Sequence, residues 1–109
     1  MRDDRERLRD IVDAILNIER YPRDKEDSEL TESWVLRHLQ IIGEAASKLS
    51  ASLRTAHPDV PWPEMIAMRN ILVHDYFGID TNEVWAVVEK DLAKLKQKIE
   101  AILQAEPGA

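Results

Sequence analysis

Apolar residues in this chain recur at helical spacing almost from end to end, and no segment alternates apolar and polar residues as a half-buried strand does. Leu8, Ile11, Val12, Ile15, Leu16 and Ile18 follow the i, i+3, i+4, i+7 rule of a helix with one buried stripe. Asp3 or Asp4 is placed to cap it, and Tyr21-Pro22 ends it, because the residue before a proline is driven out of helical space. The polar run Arg23-Asp24-Lys25-Glu26-Asp27 reads as a spacing loop. A second stripe, Trp34, Val35, Leu39, Ile42, Ala46 and Leu49, runs to about Ser50, with Ser28 or Thr31 as its cap. Gly43 falls in the middle of it, where glycine is about 1 kcal/mol less favourable than alanine. A close helix crossing that leaves no room for a side chain would account for it.

A short helical turn is expected over Ser52 to Ala56. His57-Pro58-Asp59-Val60-Pro61-Trp62-Pro63 then places three prolines in seven residues, which excludes regular helix there. Pro61 or Pro63 suits the first position of the next helix, whose N–H would be unpaired in any case, and Trp62 reads as a core anchor. That helix is expected from about Pro63 to Asp75, with Met65, Met68, Ile71 and Leu72 as its buried stripe. Gly78 permits a turn, Asp80 and Glu83 form a capping box, and a last helix buries Val84, Val88, Leu92, Leu95, Ile99, Ile102 and Leu103 while Lys90, Lys94, Lys96 and Lys98 face water. Glu106 to Ala109 reads as a frayed tail. The expectation is an all-α, up-and-down bundle of four main helices plus a short helical turn, as one domain over residues 1–109.

Composition narrows the function. A length of 109 residues with 44% hydrophobic content suits one modest core. The absence of cysteine rules out disulfides and thiolate metal sites and suits a reducing cytoplasm. His38 and His57 have no partners at ligand spacing, so no metal site is expected, and no motif for a cofactor is present. No stretch approaches the roughly 20 apolar residues of a membrane span. The mixed charge of Met-Arg-Asp-Asp-Arg-Glu-Arg at the N-terminus is unlike a signal peptide. A net charge of -6 counts against broad binding to nucleic acid, which normally uses a basic face. An RNA would have to be met by a local positive pocket, for which Arg37, Lys48, Arg54 and Arg69 are the candidates, pooled from two copies of the chain.

The segment Met68-Arg69-Asn70-Ile71-Leu72-Val73-His74-Asp75-Tyr76-Phe77 carries the chemistry. Arg69 is the only Lys or Arg between Arg54 and Lys90. On a helix Asn70 and His74 stand one turn apart on one face, while Arg69 lies off that face and has to reach round on its long stem. The set offers a fixed cation suited to phosphate oxygens, an amide for orientation, and an imidazole that titrates near neutrality. The bland alternative is a half-buried His74 paired with Asp75 or Glu64, and an Arg69 that neutralises Glu64 or Glu44. Glu44 itself either faces the cleft or forms an i, i+4 pair with Lys48, the commoner arrangement. Tyr76 is open between a core tyrosine, a base-stacking surface and an acceptor hydroxyl.

The segment resembles the HEPN superfamily, marked by Arg, a polar residue, a short spacer and His. Four residues between Arg69 and His74, with Tyr76 two further on, are similar to its HepT-like branch. Ile41-Ile42-Gly43-Glu44-Ala45, His57-Pro58 leading to Pro61-Trp62, and Asp75-Tyr76-Phe77 before a fresh helix fit that branch as well. The resemblance implies a HEPN-like helical fold forming a two-fold homodimer. It further implies a toxin of a toxin–antitoxin pair that acts as a metal-independent endoribonuclease. Arg69 and His74 are then catalytic and Asn70 orients substrate, in a composite site at the dimer cleft. The implied partner is a minimal nucleotidyltransferase antitoxin (MntA-like) that adds AMP to Tyr76, bringing its own ATP and magnesium. The alternative is a non-catalytic HEPN-like dimer that binds a nucleotide or scaffolds a nucleotidyltransferase.

Overall fold

A computed structural model of the chain describes residues 3–20, 29–74 and 81–105, with side chains described at 3–20, 33–73 and 82–105. These residues form six helices and no strand: α1 (Asp4–Glu19), α2 (Glu29–Ser47), α3 (Ala51–Ala56), α4 (Trp62–His74), α5 (Thr81–Lys90) and α6 (Leu92–Ala105). The loop expected at 23–27, the helix end at Tyr21-Pro22, the Ser28 cap, the Gly78 turn, the Asp80 cap and the tail from Glu106 lie outside the described residues.

Local chemistry sets the observed ends. Asp3 caps α1 by accepting from the Glu6 N–H at 2.9 Å. Asp4 has a different task, accepting from the Ser50 N–H at 2.9 Å and so tying the start of α1 to the far end of α2. Ser50 in turn caps α3 through the Leu53 N–H, which is why α2 stops at Ser47 and does not run on. At α4 the carbonyl of Pro61 accepts the first helical bond, from Met65. Pro61 is therefore the cap, and Pro63 sits inside the first turn, where its missing N–H has no partner to lose.

One core joins the helices: α1 packs on α2 and α6, and α2 packs on α4. Trp34 Nε1 donates to the Asn17 carbonyl at 2.9 Å, so α1 and α2 run antiparallel. Arg5 Nη1 donates to Leu103 O at 2.9 Å and Lys96 Nζ to Glu19 Oε1 at 2.7 Å, which sets α6 antiparallel to α1 as well. Trp62 is buried, as its reading as a core anchor requires, and its Nε1 donates to the His57 carbonyl at 2.9 Å. His38 is also a core residue. Its ring stacks near Trp34, and Nδ1 lies 2.8 Å from the Trp34 carbonyl, which makes Nδ1 the protonated nitrogen.

Three expectations are corrected. The single last helix is observed as α5 and α6, divided at Asp91. The division is slight, since Asp91 N still bonds Val87 O and Leu95 N still bonds Asp91 O. Ile71 is 57% exposed and does not belong to the buried stripe of α4, because α4 meets α2 through Met65, Arg69 and Leu72 and turns Ile71 away. Leu16 is likewise exposed, the buried face of α1 running through Leu8, Ile11, Ala14, Ile15 and Ile18.

Candidate active site

Gly43 decides where Arg69 stands. A Cβ on Gly43 would collide with the Cβ of Arg69 and come within 2.7 Å of the Met65 carbonyl oxygen. Only glycine lets α4 lie this close to α2, and the crossing presses the Arg69 stem against the α2 backbone. The guanidinium then emerges into a groove of about 380 Å³ between α1, α2 and α4. Arg7 and Asp10 border it from α1, Arg37, Gln40 and Glu44 from α2, Lys48 from the turn after α2, and Arg69 and Val73 from α4.

The groove is cationic in a chain that is acidic overall: Arg7, Arg37, Lys48 and Arg69 face Asp10 and Glu44. Glu44 Oε2 lies 3.5 Å from Arg69 Nη1, and Glu44 Oε1 lies 3.2 Å from Lys48 Nζ. The two readings of Glu44 are thus met together, as it pairs with Lys48 and borders the groove that Arg69 lines. The Arg69 contact is long for a charge-assisted hydrogen bond. The Nε atoms of Arg69 and of Arg7 are both buried with no hydrogen-bond partner among the described residues. Buried N–H groups without an acceptor are uncommon and unfavourable in a settled interior. These Nε atoms are themselves inaccessible, so what suits the groove to an anion is its four cations against two carboxylates.

Of the other candidate site residues, Asn70 is the one whose side chain is described, and it does not join Arg69. Asn70 is exposed and lines a separate, broader groove on the opposite flank of α4, with Arg54, Thr55, Pro58, Trp62 and Ala67. Arg54 therefore stands apart from Arg37, Lys48 and Arg69, because α3 folds back against the start of α4. His74 is the last residue of α4, and its side chain lies outside the described residues. Five helical positions separate it from Arg69, about 140° round the cylinder, whereas four positions bring it back to within about 40° of Asn70. Tyr76 lies outside the described residues. Arg7 is the groove cation that the sequence did not point to, and Asp10 and Gln40 line the groove unannounced as well. Arg7 sits in a run of mixed charge that looks like a solvated helix start.

The described residues are all helical, and a glycine-permitted crossing between α2 and α4 holds an arginine beside a cationic groove. The family can be named outright. The sequence profile described as "Ribonuclease HepT-like" matches residues 6–102, and the chain belongs to that family. It is 39% identical over 106 residues to "Probable ribonuclease HepT" of Thermococcus cleftensis, covering 93% of this chain and 96% of that one. It is 35% identical over 106 residues to "Putative RNase MJ1380" of Methanocaldococcus jannaschii, covering 93% of this chain and 97% of that one. No solved structure matches the chain. Among the described residues no helix is long and apolar enough to cross a membrane.

Proposed function

We propose that the protein is a metal-independent endoribonuclease, the toxin of a toxin–antitoxin pair acting in the cytoplasm. The observation that carries this reading is Arg69. It is held at the α2–α4 crossing with a buried Nε that has no hydrogen-bond partner among the described residues and one long ion pair to Glu44. Its remaining N–H donors suit phosphate oxygens. The ribose 2′-oxygen attacks the adjacent phosphorus as the bond to the 5′-oxygen breaks, leaving a 2′,3′-cyclic phosphate. His74 takes the 2′-hydroxyl proton or gives one to the departing 5′-oxygen. Arg69 steadies the charge gathering on the phosphoryl oxygens, and Asn70 holds substrate or imidazole in place.

In one chain Arg69 and Asn70 open into different grooves, which supports a composite site. In a two-fold homodimer the two Arg69/His74 sets face one another across a shared cleft. A minimal nucleotidyltransferase antitoxin neutralises the toxin by AMPylation of Tyr76, which puts a phosphate and a purine into that cleft. The net charge of -6 favours a second reading, a dimer that binds nucleotide or scaffolds the nucleotidyltransferase without cutting RNA.

Cleavage of RNA by the purified protein separates the two. The enzyme reading expects cleavage that persists in EDTA and falls by about 10²-fold or more in His74→Ala, the scale of general acid–base contributions. Wild type that cuts nothing, or that stops cutting on chelation, counts against it.

A further inference from the structure

The groove beside Arg69 is longer than a single phosphate needs. Arg37, Gln40, Ile41 and Glu44 form one stripe along α2, continued by Lys48 in the turn that follows it, and all of them line the groove. From Arg37 to Lys48 the stripe rises about 16 Å at 1.5 Å per residue. Arg7 of α1 closes the groove from the opposite wall to Arg69, and both have a buried Nε without a hydrogen-bond partner among the described residues. Arg37 is exposed, and no ion pair is recorded for it among the described residues. Four cations against two carboxylates, spread over three helices, suit a polyanion running along the groove better than one bound ion.

We propose that this groove holds the RNA backbone beside the Arg69 phosphate, with Arg7, Arg37 and Lys48 as its phosphate contacts, and that Glu44 is a built-in anion which the backbone displaces. The assignment rests on the ribonuclease reading for its substrate, and it gives Arg7 and Glu44 roles that reading does not use. Glu44 holds Lys48 at 3.2 Å and Arg69 at 3.5 Å in the free protein. An incoming phosphate takes over both cations and releases the carboxylate toward solvent, where its side chain is already 46% exposed. Glu44 therefore lowers affinity for every polyanion. It leaves RNA binding dependent on several phosphates engaging at once, so that short fragments leave the groove readily.

The phosphate could come from an RNA chain or from a free nucleotide, and binding by fluorescence anisotropy distinguishes them. The probe is a labelled single-stranded RNA, with His74→Ala as the parent protein so that nothing is consumed. Arg37→Gln and Arg7→Gln are each expected to weaken binding several-fold. Each should also reduce the slope of log affinity against log salt by about 0.7, the value for one phosphate contact on a single strand. Arg37 is exposed, so its variant should fold as the parent does. Glu44→Gln is expected to tighten binding several-fold. Unlabelled RNA should compete better as it lengthens, with AMP and pyrophosphate competing weakly.

Affinity and salt slope unchanged in both arginine variants would overturn the proposal. So would AMP or pyrophosphate competing as well as RNA, which would make the groove a free-nucleotide site. The two readings fail separately. If wild type cuts no RNA while Arg7 and Arg37 still govern binding, only the cleavage reading falls. If wild type cuts RNA and Arg37→Gln leaves KM untouched, only the groove assignment falls.

Discussion

Gly43 of α2 and Arg69 of α4 occupy one another's space. The Cβ that Gly43 lacks would fall on the Cβ of Arg69 and 2.7 Å from the Met65 carbonyl. A packing requirement and the residue proposed to act on phosphate are thus joined at one contact. The crossing sets how near α4 lies to α2, and that distance sets where the guanidinium enters the groove.

Gly43→Ala should consequently destabilise the protein despite alanine's better helix propensity. Overpacking costs about 1–3 kcal/mol, against a gain of about 1 kcal/mol in propensity. The obstructing atoms are a carbonyl oxygen and a stem carbon, not a mobile side-chain tip. A net loss of about 1 kcal/mol lowers Tm by roughly 4–8 °C in a domain of this size. Thermal denaturation checks this, and a variant as stable as wild type would show that α4 shifts away freely. Cleavage assayed well below Tm should also fall, because Arg69 is displaced with the helix.

Arg69→Lys keeps the charge and loses the planar fork of donors. If Arg69 acts on the transition state, kcat should drop by about 10²-fold, the scale seen when one stabilising donor is removed, with the fold unchanged by circular dichroism. A variant within a few-fold of wild type would reduce Arg69 to a partner of Glu44 and nothing more.

Ile71, turned away from α2, is 57% exposed, and Val73, which borders the Arg69 groove, is 49% exposed. Light scattering at micromolar concentration should give a homodimer, with each chain contributing 12.6 kDa. Ile71→Asp should weaken the dimer and reduce cleavage together, since a composite site needs both copies. A wild-type monomer that cuts RNA at full rate would remove the composite site from the mechanism.

Helices and core were legible because periodicity alone requires them: Leu8, Ile11, Ile15, Leu39, Ile42, Leu92, Leu95 and Ile99 are buried as their spacing demands. The glycine at 43 was legible as a close crossing, since nothing else explains glycine in mid-helix. What periodicity does not carry is the direction in which a neighbouring helix lies. Ile71 and Leu16 satisfy the apolar pattern but sit just beyond the edge of the packed face, so they are exposed. Arg54 and Arg37 look alike in sequence, and only the placement of α3 against α4 sends Arg54 to the other groove. Arg7 carried a faint signal, one turn before the buried Ile11 on the flank of α1, but its neighbours Arg5 and Arg9 hide it. The Arg69, Asn70 and His74 set was legible as a motif. That Arg69 and Asn70 open to different sides of α4 follows from helix geometry, and their grooves follow only from the fold.

Tyr76 follows the end of α4 by two residues, and the phenol is proposed as the acceptor of AMP. Transfer forms a bond from the phenolic oxygen to the α-phosphorus of ATP and releases pyrophosphate. In this proposal the partner supplies ATP and magnesium, and Arg69 eases the charge on the transferring group. Tyr76→Phe removes one oxygen and keeps the ring, so activity that depends on folding alone should be unaffected. The variant should remain toxic in cells and escape neutralisation when the nucleotidyltransferase is co-expressed. Intact-mass measurement of co-expressed wild type should show added AMP, and peptide mapping should place it on Tyr76. If wild type is neutralised with its mass unchanged, inhibition is by steric contact with the partner. If Tyr76→Phe is neutralised as well as wild type while AMP appears elsewhere, the acceptor is another hydroxyl and Tyr76 returns to packing or base stacking.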